Sequence, residues 1–136
     1  EMFLVEKMNF GWENVHEIAE QLEHIHSETF FDKMDELLNY PKYDPHGEPI
    51  PDKEGNIIAQ DLKKLSSYEI GEKAIFTAVT ITDDDFLSFL NEKKLVLGKK
   101  IKVLNIEKFD KSMLIKVQEE EIILSKMVCD KILVKQ

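Results

Sequence analysis

The stretch that decides the reading is Val15-His16-Glu17-Ile18-Ala19-Glu20-Gln21-Leu22-Glu23-His24. Val15, Ile18, Ala19, Leu22 and, just beyond, Ile25 recur at three- and four-residue spacing, the period of a helix that buries one stripe. At roughly 100° per residue, His16, Glu20, Glu23 and His24 fall within an arc of about 100°. That polar arc adjoins the apolar stripe, so its side chains border a packed interface. Two imidazoles and two carboxylates converging there suit a divalent transition metal. The share of carboxylate suits harder ions such as Mn2+ or Fe2+ without excluding Zn2+. Glu and His are also common on solvated helix faces, and spacing alone leaves both readings open. The pattern is not H-E-x-x-H, so a zinc protease is a poor fit. His26 lies off the arc and reads as a surface residue.

Working outward, Met2, Phe3, Leu4, Val5 and Met8 form the apolar side of an opening helix that Gly11 breaks. The second helix is expected to begin near Trp12. Ser27 can cap a third, whose face is Phe30, Met34, Leu37 and Leu38 and which Asn39-Tyr40-Pro41 ends. Three short helices cannot bury that much apolar surface alone, so the surplus must meet a partner subunit, another domain, or both. All four prolines lie between Pro41 and Pro51, and the stretch 41–67 reads as an extended connection.

Beyond it the composition turns to β-branched residues and tight turns. Strands are expected at Ala74–Ile81, Lys100–Lys108, Met113–Val117, Glu121–Leu124 and Lys131–Lys135, with Leu95-Val96-Leu97-Gly98 as a turn. Asp83-Asp84-Asp85 opens a short helix with Phe86, Phe89 and Leu90 inward, where acidic residues suit the positive helix end. Short strands with tight turns predict a small barrel. The expected class is α+β: a helical unit over 1–60 with its connection at 41–67, then a β-barrel over 68–136. Trp12 and the phenylalanines read as core rather than as a platform for stacking bases.

Charge and composition narrow the function. The chain has 136 residues, 18 Lys and Arg against 27 Asp and Glu, and a formal net charge of −9. A duplex is a dense polyanion, and no basic stripe is present to grip one, so this chain alone is a poor DNA binder. No apolar run approaches the roughly 20 residues of a membrane span, and no leader opens the sequence. The single cysteine, Cys129, cannot pair within the chain and reads as a small core residue near the last strand. A cytoplasmic home is the expectation.

Several motifs together resemble one family. The segment from Phe3 through Val15-His16-Glu17 to Leu22-Glu23-His24 is similar to the dimerisation region of the DtxR/MntR metal-dependent transcriptional repressors. So is Leu37-Leu38-Asn39-Tyr40-Pro41 followed by Asp44-Pro45-His46-Gly47-Glu48-Pro49-Ile50-Pro51. The tail from Gly71 to Val134 resembles the FeoA-type, SH3-like barrel that ends many of these proteins, Leu95-Val96-Leu97-Gly98 matching its L-x-P-G turn with leucine in place of proline. The resemblance covers nearly the whole chain and implies a homodimer that meets operator DNA only through an N-terminal winged-helix domain outside this sequence.

The resemblance also implies roles. Glu20, Glu23 and His24 match the primary metal ligands on this helix, and glutamate rather than cysteine at the first position points to manganese. The remaining primary ligands of such proteins come from the DNA-binding domain. His16 and Glu1 match ancillary ligands. Asp44 and His46 sit where some streptococcal-type relatives place further ones, Asp44 standing for a cysteine. The barrel can lend a carboxylate, for which Asp83 or Asp85 is the nearest match. Read without the family, Asp44-Pro45-His46-Gly47 is an Asx-type turn and Asp83–Asp85 a helix start. A competing reading is a dimeric interaction module in which metal is incidental. An enzyme is disfavoured, because the chain offers no nucleophile motif, no phosphate loop and no evident cleft for a small-molecule substrate.

Overall fold

The computed structural model describes residues 1–136, which fold as α+β. Three helices, α1 (Met2–Met8), α2 (His16–Leu22) and α3 (Glu28–Leu37), come first. Strands β1 (Lys63–Lys64), β2 (Lys73–Val79), β3 (Lys100–Ile106), β4 (Met113–Val117), β5 (Glu120–Leu124) and β6 (Ile132–Lys135) follow, with α4 (Asp84–Glu92) and α5 (Lys126–Cys129) between them. The strands form one antiparallel sheet in the order β1-β6-β2-β3-β4-β5.

The barrel owes its shape to alternation and two bulges. In β2, Ala74 and Phe76 are buried in the core between less buried neighbours, as period-two side chains require, whereas beyond the bulge Val79 takes the inward place and Ala78 lies beneath Gly47. Register slips between Phe76 and Ala78 against β6, and between Val103 and Asn105 against β4. A bulge bends its strand and tightens the twist, which lets a short sheet curl around its own core. Seventeen buried residues, with Phe76, Leu87, Leu90, Leu95 and Ile115 among the largest, fill that core. Leu65 and Tyr68 belong to it too, and Lys63 and Lys64 pair with β6, so the barrel's sheet begins inside the stretch 41–67. Gly98 turns at φ +91 after Leu97 and donates its N–H to the Phe76 carbonyl.

The helical part is thinly packed by comparison. Its buried hydrophobics are Leu4, Val15 and Ala19. As anticipated, Ser27 caps α3, its hydroxyl accepting from the Phe30 N–H. No residue of α3 is buried, and Phe30, Phe31 and Leu37 stand in solvent. Helix α2 is shorter than its periodicity suggests. It starts at His16, and Val15, which cannot cap through a side chain, precedes it. It ends at Leu22, with Glu23 as C-cap and His24 in the following turn. The chain must straighten to place Ser27 in the extended conformation that capping α3 requires (φ −136, ψ 105). Ile25 therefore leaves the stripe and is 42% exposed.

Candidate metal centre

The Pro-rich connection brings the key side chain into place. Asp44 Oδ1 accepts from the backbone N–H groups of His46 and Glu48, closing an Asx turn and leaving Oδ2 uncommitted. Gly47 follows at φ +89, and a Cβ there would run into the Thr77 carbonyl and Ala78. The turn thus lies flat against β2, and the His46 carbonyl accepts from the Val79 N–H at 3.1 Å. His46 is left only 2% exposed, the one buried polar residue of the chain.

A buried imidazole must satisfy both nitrogens. Its Nε2 lies 2.7 Å from the Trp12 backbone carbonyl. A carbonyl can only accept, so Nε2 carries the proton and, in the neutral ring, Nδ1 presents a lone pair. Nδ1 faces Glu1 Oε2 at 3.5 Å. Ligand atoms of Glu1, Asp44 and His46 all lie within 4.8 Å of one another. Two ligands each about 2.1 Å from a common ion stand roughly 3.0 to 3.4 Å apart, so the Glu1–His46 pair at 3.5 Å is already near that spacing and the triad as a whole would have to draw together from within 4.8 Å to share a divalent cation. The donor set, one neutral imidazole with carboxylates, suits such an ion, and the donation of Nε2–H to a carbonyl is the outer hydrogen bond that a metal-bound histidine commonly makes.

Glu1 extends the cluster towards α2. Its other oxygen lies 4.0 Å from His16 Nδ1, and His16 Nε2 lies 3.4 Å from Glu20 Oε1, one helical turn along. Of the residues picked out by sequence, Glu1, Asp44 and His46 are therefore brought into one group, with His16 and Glu20 beside it. Glu23 lines a cleft of about 290 Å3 that Glu1 and Asp44 also line, together with Asp35. His24 is exposed beyond the end of α2. Asp83 and Asp85 stand outside the triad: Asp83 Oδ1 caps α4 through the N–H groups of Asp85 and Phe86. The part played by Trp12 is not legible in the sequence. Its ring stacks on the His46 imidazole at 5.9 Å and 12°, and nothing in the local sequence ties residue 12 to residue 46.

A carboxylate–histidine cluster on a thin helical layer, docked onto an SH3-like barrel, defines a metal-binding module whose helices lack internal cover. Two family models match and together cover most of the chain: "Iron dependent repressor, metal binding and dimerisation domain" over residues 1–52 and "FeoA domain" over residues 63–136. Among solved structures, a manganese-dependent transcriptional repressor in complex with manganese superposes with TM-score 0.89 at 26% identity, covering 98% of this chain and 64% of that one. ScaR with bound Zn2+ superposes at 0.81 with 34% identity, covering 100% and 67%. IdeR of T. acidophilum superposes at 0.85 with 28% identity, covering 98% and 61%. A protein of Chlamydia trachomatis serovar D described as "Probable metal transport system membrane protein" is 35% identical over 51 residues, 38% of this chain and 11% of that protein. The chain belongs to the DtxR/MntR family of metal-dependent transcriptional repressors, of which it carries the metal-binding and dimerisation region and the FeoA domain. It spans about two thirds of the length of the solved repressors it matches.

Proposed function

We propose that this chain is the sensing and dimerising portion of a manganese-responsive repressor that acts in the cytoplasm as a homodimer. The observation that carries the reading is the buried His46, its Nδ1 aimed at Glu1 with Asp44 alongside, on a fold shared with repressors described as manganese-dependent. Glu1, Asp44 and His46, with His16 in support, hold the ancillary ion. Glu20, Glu23 and His24 supply half of a primary site, which a DNA-binding domain preceding residue 1 completes. Asp83 and Asp85, the barrel's candidates, would have to approach from the start of α4 to join the ancillary group. We divide the chain between the helical unit with its connection and the barrel.

The bound ion would act as a cross-link. It would tie the start of α1 to the Asp44–His46 turn, and, at the primary site, α2 to the DNA-binding domain. Metal then favours DNA only to the extent that the DNA-competent arrangement binds it more tightly than the alternatives. Calorimetric titration of the metal-stripped chain with Mn2+, Fe2+ and Zn2+ tests the reading. Saturable binding that His46→Gln abolishes is expected. Absence of binding, or full binding in His46→Gln, would contradict it.

A second reading draws on the match to a membrane transport protein: the same module as a regulatory part of a metal transporter. The polypeptide preceding residue 1 would then carry membrane spans instead of a DNA-binding domain, and its sequence distinguishes the two.

A further inference from the structure

The barrel touches the metal-site histidine twice. Through the main chain, the Val79 N–H of β2 donates to the His46 carbonyl. Through the side chain, contact runs by way of Trp12. The Trp12 carbonyl receives His46 Nε2–H at 2.7 Å, its ring stacks on the imidazole, and its own Nε1–H donates to Asn91 Oδ1 of α4 at 2.8 Å. The ring also meets Phe76 edge-on at 6.5 Å and packs against the barrel core. Trp12 is thus held by the barrel on one side and fixes His46 on the other. The Asn91 bond spans 79 residues of sequence, so it exists only while the barrel is docked.

Resting on the metal-site reading above, we propose that Trp12 and Asn91 are positioning residues that couple docking of the barrel to metal binding at Glu1, Asp44 and His46. The Trp12 carbonyl selects the imidazole tautomer that leaves Nδ1 free for the ion. Asn91 holds Trp12 where its carbonyl can do so. If the barrel undocks, Trp12 loses Asn91 and Phe76, His46 loses Val79, and the imidazole is released to either tautomer. Coupling of this kind is reciprocal, so an ion on the triad must also tighten the barrel against the helical layer. The FeoA domain is then part of the sensor rather than an inert appendage.

Two readouts on the full chain test this, and they separate it from the metal-site reading. The first uses metal-free protein and follows the His46 imidazole 15N shifts. Wild type is expected to show the Nε2-protonated tautomer, Asn91→Ala a mixture of the two, and Asn91→Asp, which keeps an acceptor for Nε1–H, the wild-type pattern. An unchanged His46 tautomer in Asn91→Ala would overturn the proposal whatever the metal does. The second is a Mn2+ and Cd2+ titration, in which Asn91→Ala is expected to bind on the order of tenfold more weakly, the usual scale for losing an outer hydrogen bond. Equal affinity for Asn91→Ala and wild type would also overturn the coupling. Wild-type protein with the expected tautomer and no metal binding would sink the metal-site reading, and with it the coupling to metal, while leaving Trp12 and Asn91 as positioning groups for His46.

Discussion

His46 and Gly47 show how much a single turn settles. His46 is buried with Nε2–H donated to Trp12, and Gly47 at φ +89 lets the turn lie against β2. Gly47→Ala should therefore damage metal binding and stability together, since it strains φ and drives a methyl into the Thr77 carbonyl. A loss on the order of 1–3 kcal/mol is expected from the strain alone, read as a lowered denaturant midpoint. A wild-type midpoint would show that the turn is not seated as described. Cys129 makes the opposite case of a residue without chemistry. Burial, aided by the neighbouring Asp130, pushes its thiol up to about 12, so at neutral pH it stays protonated beneath the last strand. Iodoacetamide should leave it unmodified in the native protein and label it once the chain is unfolded. Rapid labelling of native protein would contradict that burial.

Among the elements, α5 and the 3-10 turn at Leu65–Ser67 close the barrel around one carboxylate. Asp130 accepts from Lys126 Nζ at 2.8 Å and from Ser66 Oγ at 2.5 Å. These partners, Lys126 first, hold it below its ordinary value of 3.8. A carboxyl depressed on folding stabilises the protein above its ordinary value and loses that contribution as pH falls through the lowered one. The thermal midpoint should thus fall less steeply below pH 3.8 in Asp130→Asn than in wild type. Parallel acid limbs would show that Asp130 is not linked to folding.

The elements also show what could be read from sequence and what could not. Strands β2 to β6 and α4 follow from β-branched runs broken by tight turns and from acidic residues at a helix start, which are local signals. The cap at Ser27 is equally local. The end of α2 at Leu22 is not, because it depends on where Ser27 must sit to cap the next helix. Strand β1 is two lysines whose pairing with Leu133 and Val134 no local pattern encodes. For the site, residues one turn apart such as His16 and Glu20 were legible from spacing. The meeting of Glu1 with Asp44 and His46 was expected only through the family resemblance. The Trp12 link, a contact across 34 residues, had no signal at all.

At the scale of the molecule, charge and cover divide along the chain. Residues 1–52 hold 3 Lys against 13 Asp and Glu, a net −10, whereas residues 63–136 hold 14 Lys against 12, a net +2. The acidity thus belongs to the helical layer, where cations would bind, while the barrel is close to neutral. That layer buries little of its own, and the exposed Phe30, Phe31 and Leu37 of α3 are the surface on which two copies should meet. Leu37 is 61% exposed, so Leu37→Glu should fold normally yet shift the sedimentation mass from dimer towards monomer. An unshifted dimer would move the interface elsewhere.

Whether Glu1, Asp44 and His46 hold an ion is tested most directly by a crystal structure of the chain grown with Mn2+, with anomalous scattering recorded to locate the ion. A peak bonded to His46 Nδ1 and to carboxylate oxygens of Glu1 and Asp44 is expected, with Nε2 still on the Trp12 carbonyl. Crystals from saturating Mn2+ with no peak there, or with His46 Nδ1 unligated, would contradict that assignment.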